Sequence, residues 1–172
     1  MHQSEPLRPV AAICAALLVG FVSGQINNRL ESIQQVQQGD MQLRMGNSEQ
    51  ALLSYTNAIQ KDVAFADAYM KRAMLLSRLG QNTQALADMD RALELNPYSE
   101  YLFDRRAKVK ILLNDIKGAE EDLDRAVALH PYDELLRESR VDTWLEIGAV
   151  DRAMQELDTL LNRNPGNVML LL

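Results

Sequence analysis

Apolar and polar positions alternate along most of this chain with the spacing of an α-helix. In one stretch Ala85, Met89, Ala92 and Leu93 fall at intervals of 4, 7 and 8, which places them on one side of a helix. The stripe returns at a fixed distance. Ala51, Ala85, Ala119 and Ala153 stand 34 residues apart, four positions before Tyr55, Met89, Leu123 and Leu157. Ala58, Ala92, Ala126 and Leu160 follow three positions further on. A small residue followed one turn later by a large apolar one lets two helices approach closely and then fills the space between them.

The punctuation has the same period. Gly46, Gly80 and Gly148 share one column with Asn114, the residue types that tolerate a left-handed backbone at a helix end. Asn96-Pro97, His130-Pro131 and Asn164-Pro165 recur 34 apart, where proline stops one helix before the next begins. The frame divides the chain into repeats at 32–65, 66–99, 100–133 and 134–167, each predicted to be two helices joined by a tight turn. A period of this size predicts an all-α solenoid, because one hairpin cannot bury its apolar face alone and stacks on its neighbours.

The columns resemble those of the tetratricopeptide repeat (TPR) family over about residues 32–167. The best match runs from Ala68 to Pro97, where Tyr69, Ala73, Leu76, Leu79, Gly80, Ala85, Met89, Ala92 and Pro97 take characteristic places. Lys110 and Arg137 depart from the pattern, standing where large apolar or aromatic residues are usual; either they weaken packing locally or they bury only their aliphatic stems. Trp144 reads as a core aromatic. The resemblance implies a right-handed superhelix of about four repeats, with first helices lining a concave groove that holds a partner's peptide or helix. In this frame the groove takes Met70, Met74 and Arg78 from the second repeat, Tyr101, Arg105 and Lys108 from the third, and Glu138 and Asp142 from the fourth. That is a Met and Tyr floor, a basic middle and an acidic far end, suited to a ligand with an apolar anchor and an acidic group near Arg105. Some family members clamp a terminal carboxylate with Lys and Asn on successive first helices. Val36, Asp40, Lys71, Tyr101 and Arg105 occupy those places here, and only Arg105 fits.

The repeats are preceded by a different kind of sequence. Val10 to Val22 carries no charge, and extending it through Ile26 gives a marginal span for a bilayer, which takes ~20 residues as a helix. The run is apolar all the way round, unlike a soluble capping helix. Residues 1–24 are therefore expected to be a short membrane anchor or a cleaved signal, contacting the membrane through residues 10–26. Ser23-Gly24 offers an acceptable cleavage site in the second case. The basic Arg8 ahead of the run tips the repeats towards the non-cytoplasmic side, or to a secreted or periplasmic location after cleavage. Residues 25–31 open a polar helical connector into the first repeat, and 168–172 form an apolar stub.

Charge and chemistry narrow the function. With 18 basic against 24 acidic residues the formal net charge is −6, which argues against nucleic acid as a principal partner. At 47% apolar residues the chain is too hydrophobic for disorder. Cys14 is its only cysteine, so no internal disulfide forms, and His2 and His130 have no metal-ligand spacing. There is no glycine-rich phosphate loop and no nucleophile with a nearby histidine. Glu120-Glu121-Asp122 reads as acidic residues favouring a helix dipole. The expected protein is a non-catalytic scaffold without cofactor or metal. The alternative is a self-associating structural component, a homo-oligomer of a membrane or envelope assembly.

Overall fold

A computed structural model describes residues 8–163 of the chain, with side chains described at Gly20 and from Val22 onward. Among the described residues there are eight helices and no strand: α1 (Arg8–Arg44), α2 (Ser48–Lys61), α3 (Ala66–Arg78), α4 (Asn82–Leu95), α5 (Glu100–Leu112), α6 (Ile116–Leu129), α7 (Glu134–Glu146) and α8 (Val150–Arg163). The all-α class expected from the stripe periodicity is observed. α3, α5 and α7 open at 66, 100 and 134, one period apart.

The turn column does what its residue types allow. Gly46, Gly80 and Gly148 have φ of 83°, 76° and 76°, and Asn114 adopts 61°. At each, two backbone bonds close the helix end: Gly80 N–H donates to Ser77 at 3.0 Å and Gln81 N–H to Leu76 at 2.9 Å, and Asn114 and Asp115 repeat the pattern at 2.8 and 2.9 Å. The orphan carbonyls of the first helix are satisfied this way, and the chain reverses within a few residues. Side-chain caps open the later helices, with Ser99, Asp115 and Asp133 accepting from the backbone N–H three residues on.

The helices fall into two compact units, Met1–Ala68 and Tyr69–Leu172. In the first, α1 packs against α2 as a hairpin. Ala51 and Ala58 are fully buried along the contact, and Tyr55 lies 1% exposed between them. Tyr55 is larger than Met89 or Leu123 in its column, and α1 makes room with Gly39: a Cβ there would lie 2.5 Å from the tyrosine ring. The phenol hydroxyl donates to Asp40 at 2.7 Å, and Ser32 donates to the Ala58 carbonyl at 2.9 Å. Arg29 pairs with Asp62 and lies 4.7 Å over the Phe65 ring. α1 is unbroken through the polar stretch 25–31. Among the described residues no helix is long and apolar enough to cross a membrane. The backbone of the expected membrane segment, residues 10–26, is helical as part of α1, but most of its side chains lie outside the described set; the stub at 168–172 and Asn164-Pro165 lie outside the described residues altogether.

The second unit repeats the packing with a polar addition. α5 packs on α6 and α7 on α8, while α4 meets α5 and α6 meets α7. Ala107, Ala119, Leu123, Val141, Trp144, Ala153 and Leu160 form a continuous buried cluster, which places Trp144 in the core at 5% exposure. Fully burying one leucine of this kind contributes about 1.5–3 kcal/mol. Beside it runs a ladder of ion pairs with the period of the repeat. Arg72 donates to Asp88 through two nitrogens at 2.7 and 2.8 Å, and Arg106 does the same to Asp122 at 2.8 and 2.6 Å. Arg140 donates to Glu156. The three carboxylates are 7%, 2% and 6% exposed. Hydrogen bonding to Asp88 and to Asp122 raises the pKa of Arg72 and Arg106 above the usual guanidinium value. Arg106 also reaches back to Asp90 on α4 at 2.7 Å, and Arg140 to Asp124 on α6 at 2.8 Å, so each guanidinium ties three helices. The first repeat has Gln38 and Ser54 in the columns of Arg72 and Asp88.

This ladder corrects three sequence expectations. Lys110 is not a stem burying only its methylenes: its ammonium sits 2.8 Å from Asp122 and donates to the Gly118 carbonyl at 3.1 Å. Arg137, 8% exposed, donates to Glu156 and to the Pro131 carbonyl. The acidic triplet serves more than the helix dipole, since α6 opens at Ile116 with no acid in its first turn. Asp122 anchors two cations, and Glu120 pairs with Arg152.

Removing a buried partner should cost far more than removing an exposed one. Asp122→Ala removes the buried carboxylate shared by Arg106 and Lys110 and is expected to destabilise by about 3–5 kcal/mol. Asp124→Ala, whose side chain is 72% exposed, should change stability by less than about 1 kcal/mol. Comparable losses in urea melts of the two variants would refute the ladder as a structural support. At the turn, Asn114→Gly relieves a left-handed backbone and should raise Tm by a few degrees, whereas Asn114→Val should lower it.

Candidate functional site

The residues expected to face a partner lie in the second unit, on α3, α5 and α7. The structure joins the α5 residues into one cluster. The Arg105 guanidinium lies over the Tyr101 ring at 4.6 Å, close enough for cation–π attraction, and Tyr101 is 41% exposed. One turn along, Lys108 donates to the Ser139 hydroxyl of α7 at 3.0 Å. Spacing explains the grouping: 101, 105 and 108 are separated by 4 and 3, so all three project from one side of α5.

At the centre stands a residue that sequence reasoning missed. Asp104 is 4% exposed and accepts from Ser139 at 2.7 Å, with the Lys108 ammonium at 3.5 Å and Arg105 Nε at 3.6 Å. The basic middle of the face therefore carries its own counter-charge. The signal for Asp104 was in the repeat itself, 34 residues after Met70 and 34 before Glu138. Selecting the third-repeat residues by charge and aromaticity, instead of by column, passed over it. Lys108 has found two partners. Arg105 makes no hydrogen bond among the described residues, and its Nε is buried without one.

The other predicted positions are arranged differently. Met70 and Met74 are half-buried on α3, and Arg78 is exposed near its end. Glu138 is half-buried and Asp142 exposed on α7. Arg78, Glu138 and Asp142 make no hydrogen bond or ion pair among the described residues. Of the positions matching a carboxylate clamp, Val36 is buried at 5% exposure and Asp40 is held by Tyr55. Among the described residues no group of histidine, cysteine or carboxylate side chains could hold a metal ion.

Comparison with known proteins agrees with the fold. Residues 36–100 match the tetratricopeptide repeat family model. No curated protein matches the chain by sequence. Among solved structures, a tetratricopeptide repeat protein from Parabacteroides merdae superposes with a TM-score of 0.70 at 25% identity, covering 82% of this chain and 55% of that one. The second TPR of Spaghetti (RPAP3), bound to the HSP90 peptide SRMEEVD, has a TM-score of 0.59 at 25% identity and covers 63% of this chain and 99% of its own. MamA, at 16% identity, covers 80% of this chain and 81% of its own with a TM-score of 0.67. Residues 36–100 thus match the tetratricopeptide repeat model, and over most of its length the chain shares the fold of solved tetratricopeptide repeat structures.

Proposed function

We propose that the chain is a non-catalytic adaptor that captures a peptide or helix of another protein on the face formed by Met70, Met74, Arg78, Tyr101, Arg105, Lys108, Glu138 and Asp142. The observation that carries this reading is Arg105. Its guanidinium is positioned on Tyr101, yet it spends none of its donors on a hydrogen bond within the described residues. A planar fork held in this way matches a carboxylate. The half-buried methionines supply adaptable apolar contact beside it. Solved relatives of the fold hold acidic peptides, which supports a protein partner. The burial of Val36 and the bond from Tyr55 to Asp40 favour a ligand other than one gripped by a terminal-carboxylate clamp.

The apolar run in residues 10–26 supports a tether. In this reading residues 1–24 remain as an anchor and hold the repeats on the non-cytoplasmic side of a membrane. Alkaline carbonate extraction tests it: full-length protein should stay in the membrane pellet, and deletion of 10–22 should release it. Release of the full-length chain would refute the tether without touching the partner face.

The face is tested by crosslinking pull-down from native membranes with the full-length protein. Arg105→Ala is expected to weaken capture about tenfold, the worth of one charge-assisted hydrogen bond. Met70→Ser should weaken it further at unchanged oligomeric state. Asp104→Asn removes the counter-charge and should tighten binding of an acidic peptide. Capture indifferent to all three variants, with folding intact, would show the face to be wrongly assigned.

A further inference from the structure

Within the second unit, second helices are covered by the first helix that follows: α4 by α5 and α6 by α7. The covered side buries Met89 and Leu93 on α4, and Leu123 and Val127 on α6. At the same columns α8 carries Leu157 and Leu161, each only half-buried. Val150 and Met154, 53% and 58% exposed, extend them into one stripe at spacings of 4, 7 and 11.

The two inner junctions also specify the charge of what belongs there. Asp90 accepts from Arg106 of the covering α5, and Asp124 accepts from Arg140 of the covering α7. Asp158 is the next residue in that column, exposed on α8, and no arginine reaches it among the described residues. Asp151, also exposed, borders the same stripe. Two copies of this face would meet acid against acid, which disfavours self-association through it. We propose that the outer face of α8 docks an amphipathic helix of another protein, its apolar side packed on the Leu157 and Leu161 stripe and an arginine paired with Asp158. Arginine fits better than lysine, because both inner junctions use a guanidinium that serves two carboxylates at once. This surface is separate from the Arg105 face and stands or falls independently of it.

The chain contains its own probe. A capped peptide of residues 99–113 carries Arg106 in the register that meets Asp90. It is titrated against the full-length protein in mild detergent, up to about 1 mM, where even marginal binding registers. Saturable binding is expected, weakened about two- to fivefold by Asp158→Asn, the range for an exposed pair. An Asp158→Arg protein should recover affinity for a peptide carrying Arg106→Asp. Met154→Glu with Leu161→Glu should abolish binding, circular dichroism melts confirming that the double variant folds, and Arg105→Glu should leave it unchanged. No saturation, equal binding of an Arg106→Ala peptide, or loss of binding with Arg105→Glu each overturns the proposal. Binding that emerges only after residues 164–172 are deleted also overturns it, since the chain then covers this face itself.

Discussion

A carboxylate taken out of water needs a cation held against it, and Asp88, Asp122 and Glu156 impose that condition at every hairpin of the second unit. Desolvating each acid costs several kcal/mol, recovered only when the geometry is good and further hydrogen bonds satisfy the remaining lone pairs. The hairpins meet it with bidentate arginines at Arg72 and Arg106, and with Arg137 and Arg140 together at Glu156. Oily surfaces slide past one another at modest cost, whereas a fork of two hydrogen bonds tolerates little displacement. The apolar columns thus supply the attraction between helices, and the charged columns fix the alignment in which it is exercised.

The same arrangement explains why charge is unevenly available on the surface. Much of the arginine in this unit is consumed by packing: Arg106 and Arg140 each serve two carboxylates on different helices. Arg105, next in sequence to Arg106, points to the other side of α5 and is left to aromatic stacking and a distant acid. Two adjacent residues of one type therefore have different fates, decided by a rotation of about 100° along the helix. Composition cannot distinguish them; helical phase can.

Helical phase was also the limit of what could be read beforehand. Turns and apolar columns were legible because glycine, asparagine and alanine are chosen there by backbone geometry and size, properties visible in one residue at a time. The ladder was not, although Arg72, Arg106 and Arg140 keep the period through three of the four repeats. A charged residue on a helix is ordinarily solvated, and nothing in its identity announces a partner 16 positions away across a turn. Lys110 and Arg137 looked like flaws for the same reason: their merit depends on Asp122 and Glu156, which looked like surface acids. Asp104 was concealed by its neighbours, being the acid in a stretch whose bases attracted attention. The binding face itself was nominated from a family resemblance, and the sequence had no means of saying which of its charges were already spent.

The burial of Trp144 has a practical corollary. It is the sole indole of the protein, enclosed by the α7 and α8 core with the Arg152 guanidinium 5.2 Å from its ring. Intrinsic fluorescence excited at the red edge of the aromatic band is thus a spectroscopic window on the last hairpin alone. A shift in emission reports water reaching that hairpin and is silent about the Tyr55 hairpin, whose chromophore is a tyrosine. Comparing that signal with far-ultraviolet ellipticity, which averages over every helix, distinguishes local fraying of that hairpin from a concerted transition without any label being introduced.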